Sequence, residues 1–175
     1  KGDDSPLTQA DLAAHRYIAD ELARLAPEIP LLSEEDADIA YSTRSTWTRY
    51  WLVDPLDGTR EFIRRNPDFT VNIALIVDGY PQLGVVHAPA LGISWIAAEG
   101  VGCWRIENGE RRALKTRRKP ELPVFVISQS HQNPALAEFL SRAPKHEVVS
   151  RGSSLKFCLI AEGLADLYPR TGPIS

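Results

Sequence analysis

The stretch that decides the reading is Trp51-Leu52-Val53-Asp54-Pro55-Leu56-Asp57-Gly58-Thr59. Tyr50 to Val53 is an apolar run of the kind that makes a short buried strand. The strand is expected to end at Asp54, because Pro55 has no N–H to give to a ladder. Asp57-Gly58 is turn chemistry, and Gly58 can take a positive φ there. Two carboxylates three residues apart therefore stand at a strand end on a rigid turn, where α/β proteins bind ligands. Fixed acids repel unless a positive charge lies between them. A hard divalent cation such as Mg²⁺, held by carboxylate and carbonyl oxygens, meets that need. The Thr59 hydroxyl comes next and is able to hold a water. Asp-Pro and Asp-Gly taken singly are ordinary loop dipeptides; the whole run after a strand is a motif with a defined context.

Upstream, Ala14, Ile18, Leu22 and Leu25 share one face of a helix that should stop near Ala26, before Pro27. Thr8 and Asp11 have capping-box spacing at its start. Ile29 to Leu32 is a short apolar strand running into Ser33-Glu34-Glu35-Asp36, a solvated turn on charge alone. Residues 37–49 form an exposed connection. Downstream, Arg60 to Phe69 is a short helix or turn, and Thr70 to Val77 is a β-branched strand. Asp78-Gly79 is a hairpin turn leading to Gln82–His87. Ser94–Ala98 and Gly102–Ile106 continue an antiparallel meander, with Asn108-Gly109 as a second turn. The basic run Lys115 to Lys119 is a solvated connection.

The last third changes character. Pro123 to Ile127 is a strand, Asn133-Pro134 caps and opens a helix to about Leu140, and Glu147 to Val149 is a further strand. A helix follows Arg151-Gly152-Ser153-Ser154-Leu155-Lys156 to about Glu162, with Gly163 as its cap, and Ala165 to Tyr168 is a last strand. The Gly152-Ser153-Ser154 turn suits either a phosphate, with Lys156 adding charge, or an ordinary Ser N-cap. His131 suits a turn cap or a base-stacking ring. The expected fold is α/β, an α+β layered sandwich. Residues 1–119 would form a helix and an antiparallel-rich sheet carrying the metal loop, and residues 120–175 a smaller α/β subdomain.

Composition narrows the class. Of 175 residues, 43% are hydrophobic and 25% charged, which is globular rather than disordered. A net charge of −3 argues against a nucleic-acid polymer as partner. No apolar stretch approaches a membrane span. Cys103 and Cys158 show neither metal spacing nor pairing, so both read as buried small hydrophobes in a reducing cytoplasm. Peripheral attachment to the inner membrane face is kept open.

The run Asp54-Pro55-Leu56-Asp57-Gly58-Thr59 resembles the metal-binding signature of the lithium-sensitive, Mg²⁺-dependent sugar-phosphatase superfamily. That group includes inositol monophosphatase, fructose-1,6-bisphosphatase and 3'(2'),5'-bisphosphate nucleotidase. Ser33-Glu34-Glu35-Asp36 is similar to its Glu-Glu element, and Thr8-x-x-Asp11 to its Thr-x-x-Asp segment. Ser128-x-Ser130-His131 and Gly152-Ser153-Ser154-Leu155-Lys156 are similar to nucleotide-contacting elements of the bacterial nucleotidase branch. The resemblance covers essentially the whole chain and is least distinctive over 37–49.

The resemblance implies that Glu34, Asp54, the Leu56 carbonyl and Asp57 hold two or more Mg²⁺ ions. It implies that Thr59 and Asp11 orient and deprotonate the attacking water. Glu34, Leu56, Asp57, Gly58 and Thr59 would contact the phosphate end of the substrate, with Ser128, His131, Gly152 and Lys156 on the nucleotide. The implied reaction is removal of the 3'-phosphate from adenosine 3',5'-bisphosphate to give AMP, with its 5'-phosphosulfate analogue as a further substrate, in sulfur assimilation. Lithium inhibition and a homodimer belong to the same expectation. The family also carries an Asp ligand after a Trp, beyond Gly-Pro, whereas this sequence stops at Gly172-Pro173-Ile174-Ser175 and starts at Lys1. A chain incomplete at both ends is therefore expected; if the missing parts are truly absent, these 175 residues should bind metal weakly and show little activity. The rival readings are an inositol or other sugar phosphatase, a non-catalytic metal- or nucleotide-binding protein, and a Ca²⁺ module, the last disfavoured because the acids lie in separate loops.

Overall fold

The computed structural model describes residues 9–172, apart from 37 and 131. The chain divides into two compact units, residues 1–113 and 114–175. Thr8 and His131, both named above, lie outside the described residues, as does the stretch 173–175.

The first unit opens with α1 (Gln9–Leu25), followed by β1 (Leu31–Ser33) and a 3-10 turn (Glu34–Asp36). A short, exposed helix α2 (Tyr41–Arg44) lies within the expected exposed connection, before β2 (Arg49–Asp57) and α3 (Thr59–Ile63). The meander follows: β3 (Thr70–Val77), β4 (Tyr80–Ala88), β5 (Ile93–Ala98), β6 (Gly102–Glu107) and β7 (Glu110–Ala113). All seven strands form one sheet in sequence order. β1 and β2 run parallel, and every later neighbour is antiparallel.

Side-chain alternation fixes the inward face of β2. Trp51 and Val53 are buried, while Leu52 between them is 42% exposed, which is the period of two of a strand with one packed face. The strand does not stop at Asp54 as expected. It runs on to Asp57, and the register slips by one residue, since Asp54 pairs with Asn72 but Asp57 with Thr70. Pro55 and Leu56 sit in that bulge. A proline inside a sheet is tolerated at a bulge because no ladder hydrogen bond is asked of it there. α1 packs on β2 and on the 3-10 turn. Leu25, expected on its packed face, is 74% exposed at the last turn.

The second unit pairs β8 (Val124–Ser128) in parallel with β9 (Glu147–Arg151), and adds α4 (Pro134–Arg142) and α5 (Leu155–Ala161). Phe125, Val126, Ile127, Leu136, Leu155, Cys158 and Ala165 are its buried apolar residues. Asn133 caps α4 as expected, accepting the Leu136 N–H at 2.9 Å. The expected strand Ala165–Tyr168 is only a single bridge from Leu167 to Phe125. Among the described residues, backbone pairing there consists of Val126 N–H to Leu167 O and Asp166 N–H to Val124 O, before Pro169 ends it.

Arg117, from the run read as a solvated connection, instead donates to both oxygens of Asp166 at 2.9 and 2.7 Å. Asp166 also accepts the Val124 N–H at 2.7 Å. Arg117 and that amide hold the Asp166 carboxyl below the usual carboxylate range. A depressed carboxyl stabilises the fold above its unfolded pKa and loses that contribution as pH falls through the folded value. Asp166→Asn is therefore expected to lower Tm at neutral pH, with the difference from wild type shrinking in acid. Thermal melts from pH 3 to 7 check it. Among the described residues, no helix is long and apolar enough to cross a membrane.

Candidate metal and phosphate site

The first unit's site is built by register. Leu31, Leu32 and Ser33 pair in parallel with Trp51, Leu52 and Val53. The residues that follow in the two strands are Glu34 and Asp54, so parallel pairing brings two acids from different parts of the sequence to the same strand ends. The bulge then carries the chain round to Asp57. The Asp54 side chain accepts the Leu56 N–H at 3.2 Å, which fixes the carboxylate and the bulge together. Gly58, at φ 92° and ψ 41°, is the N-cap of α3. That left-handed backbone suits glycine and would strain a residue with a Cβ by about 1 kcal/mol.

The electrostatics of Asp54 report how close the acids are. Its carboxyl is pushed up to about 8. Burial is the first cause, the charges of Asp57 and Glu34 the next, and a side-chain hydrogen bond with Glu34 adds to them. Only the Leu56 amide pulls the other way. The three acids named from the sequence thus act on one another. Among the described residues, no three His, Cys, Asp or Glu side chains are already spaced as a ready ligand cluster. With its carboxyl raised to about 8, Asp54 keeps a proton at neutral pH, and the side-chain hydrogen bond with Glu34 offsets part of the repulsion. A hard cation is the other way to offset it, and the oxygen-only donor set of Glu34, Asp54, Asp57 and the Leu56 carbonyl fits one.

Asp11 and Thr59 meet beside these acids. Asp11 is 1% exposed on the first turn of α1, and Thr59 opens α3. The Thr59 hydroxyl lies 3.4 Å from Asp11 Oδ1 as donor and the same distance from Leu56 O. One hydroxyl therefore links the helix acid to the β2 bulge. The sequence assigns no role to Ser33, His15 or Glu61. Ser33 and Glu61 are buried, and the His15 ring nitrogen Nδ1 is 2.8 Å from Ser33 Oγ. The available signal was spacing, because His15 stands four residues after Asp11 on the same helix face.

In the second unit, Ser128 and Arg151 are register partners, so Ser128 and Gly152 stand at the same carboxyl ends of β8 and β9. This is the favoured ligand edge of a parallel pair. Ser153 takes a left-handed φ of 44°. Lys156 is 6% exposed, and its Nζ donates to the Ser153 carbonyl of its own turn. The Ser N-cap is not made, since Ser154 has no side-chain capping bond; Ser153 Oγ instead accepts the Leu155 N–H at 3.5 Å.

The whole sequence, residues 1–175, matches the model of the inositol monophosphatase family. The chain belongs to the inositol monophosphatase family. It is 56% identical over 176 residues to the 3'(2'),5'-bisphosphate nucleotidase CysQ of Salmonella typhimurium, covering all of this chain and 70% of that protein. The Escherichia coli K12 protein of the same name is 54% identical over 174 residues, covering 99% and 69%. Among solved structures, CysQ from Bacteroides thetaiotaomicron, described as a bacterial inositol monophosphatase family member, superposes with a TM-score of 0.86. It is 35% identical, over 99% of this chain and 70% of that one. The α/β layered architecture expected from the sequence is the architecture of the inositol monophosphatase family.

Proposed function

We infer that this protein is a Mg²⁺-dependent 3'(2'),5'-bisphosphate nucleotidase that removes the 3'-phosphate of adenosine 3',5'-bisphosphate, leaving AMP. The observation that carries the chemistry is the meeting of three acids, Glu34 brought beside Asp54 by the parallel pairing of β1 with β2 and Asp57 by the bulge that follows; burial and these two charges push the Asp54 carboxyl up to about 8. The likeness to the CysQ relatives carries the choice of substrate.

Glu34, Asp54, Asp57 and the Leu56 carbonyl would hold the metal, two or more ions of Mg²⁺ in this proposal. When bound, Mg²⁺ supplies positive charge for the phosphate oxygens and makes a nearby water more acidic. The chain's own residues do the rest. Thr59 Oγ1 accepts a proton from the attacking water while donating its own to Asp11 Oδ1, a general-base relay for which the 3.4 Å between them closes by a few tenths of an ångström. The amides of Gly58 and Thr59 take the phosphate oxygens as charge builds on them. In the second unit, Ser128, His131 and Gly152 are the proposed contacts to the nucleotide. Lys156 is assigned to the same group: its Nζ donates to Ser153 O and so holds the turn. Cytoplasmic residence and a homodimer complete the proposal.

Phosphate release with Mg²⁺ from adenosine 3',5'-bisphosphate and from inositol 1-phosphate tests the reading. Strong preference for the nucleotide is expected. Preference for inositol phosphate would keep the metal site and overturn the substrate. Release from neither would leave a binding protein.

A further inference from the structure

Outside the residues assigned above, the feature with the most specific geometry is the partnership of His15 and Ser33. α1 presents Asp11 and His15 one turn apart on one face. Asp11 meets Thr59, at the end of the β2 loop. His15 Nδ1 meets Ser33 Oγ at 2.8 Å, at the end of β1. Ser33 is 2% exposed, and its hydroxyl also accepts the Glu35 N–H at 3.4 Å. One helix face thus grips both acid-bearing strand ends. The grip on β1 acts on the residue directly before Glu34 and on the amide directly after it.

We propose that His15 is a positioning residue that, through Ser33, sets the Glu34 carboxylate against Asp54 and so tunes the affinity of the metal site. The physical reason lies in the turn. Glu34 starts a three-residue 3-10 helix with no buried residue of its own and hydrogen-bonds Asp54, so the reach of its carboxylate depends on where the backbone of that turn stands. Ser33 holds that backbone on both sides of Glu34. A hydroxyl alone can rotate; a ring nitrogen at 2.8 Å gives it one orientation. Groups that orient a ligand from behind are worth about 10–100-fold in metal affinity in characterised sites.

The inference rests on the metal reading above, and calorimetric titration of Mg²⁺ into the protein separates the two. Wild type should bind. His15→Ala should bind roughly tenfold or more weakly, with phosphate release recovering toward the wild-type rate when Mg²⁺ is raised to saturation. His15→Asn should restore affinity, because a side-chain amide offers donor and acceptor to the same hydroxyl. Ser33→Ala combined with His15→Ala should be no worse than either alone, as expected of two members of one contact. If His15→Ala does not fold, His15→Gln keeps size and polarity while moving the polar end away from Ser33, and it should weaken binding likewise. Unchanged Mg²⁺ affinity in a folded His15 variant overturns the inference and leaves the metal site standing. No Mg²⁺ binding by wild type overturns both.

Discussion

Replacing Asp54 with Asn is expected to cut phosphate release on the order of 10³-fold or more, while the metal-free protein becomes more stable at neutral pH. The two effects have one origin. Burial, and then the charges of Asp57 and Glu34, oppose the ionisation of Asp54 and together raise its carboxyl to about 8. In the unfolded chain the same group titrates near 3.8. The folded protein therefore binds more protons than the unfolded one between about 4 and about 8, and metal-free stability falls as pH rises through that window. Below it the group costs nothing; above it the cost is complete. Asn carries no charge to expel, so the variant should match wild type near pH 4 and exceed it in Tm at pH 8. Melts in chelator across that range read the effect directly. A variant that loses activity and also melts lower at pH 8 would mean that Asp54 supports the fold and not the cation.

The second large effect belongs to Thr59. Thr59→Ala should lower the rate at saturating Mg²⁺ about 10²–10³-fold and leave Mg²⁺ affinity within about twofold of wild type, because the hydroxyl moves a proton and holds no metal. Thr59→Ser, which keeps the hydroxyl, should retain most of the rate. Asp11→Asn should resemble Thr59→Ala, since an amide cannot take the relayed proton. These variants and His15→Ala are expected to separate cleanly: one pair loses rate at full metal, the other loses metal. A drop in Mg²⁺ affinity for Thr59→Ala as large as its drop in rate would remove the relay from the account.

Much of this was legible because local chemistry and global position agree. Thr70–Val77 was bounded correctly by its β-branched run between polar turns. Asn133-Pro134 opened a helix as a cap and first-turn pair should. What escaped was non-local. Nothing in Leu31–Ser33 says that it runs parallel to Trp51–Val53, yet that register makes Glu34 a neighbour of Asp54. Pro55 ends a ladder by the local rule, and only the partner strand shows that β2 absorbs it in a bulge and reaches Asp57. Lys156 reads in sequence as a charge added to a phosphate turn, and only the structure shows it buried with its Nζ on the carbonyl of the left-handed Ser153. Ala165–Tyr168 had strand composition, but its Asp166 is engaged by Arg117 and its ladder is one bridge long. His15 had no motif to announce it. Its meaning comes from the helix face it shares with Asp11.

The central claim is that Glu34, Asp54 and Asp57 form a cation site which exchanges the Asp54 proton for Mg²⁺. The most direct measurement is calorimetric titration of Mg²⁺ at pH 7 in two buffers of different ionisation enthalpy, with wild type and Asp54→Asn. With the Asp54 carboxyl at about 8, wild type should bind Mg²⁺ and release on the order of one proton, and Asp54→Asn should bind far more weakly with no linked proton. Wild-type binding with no proton released, or binding that survives unchanged in Asp54→Asn, would contradict it.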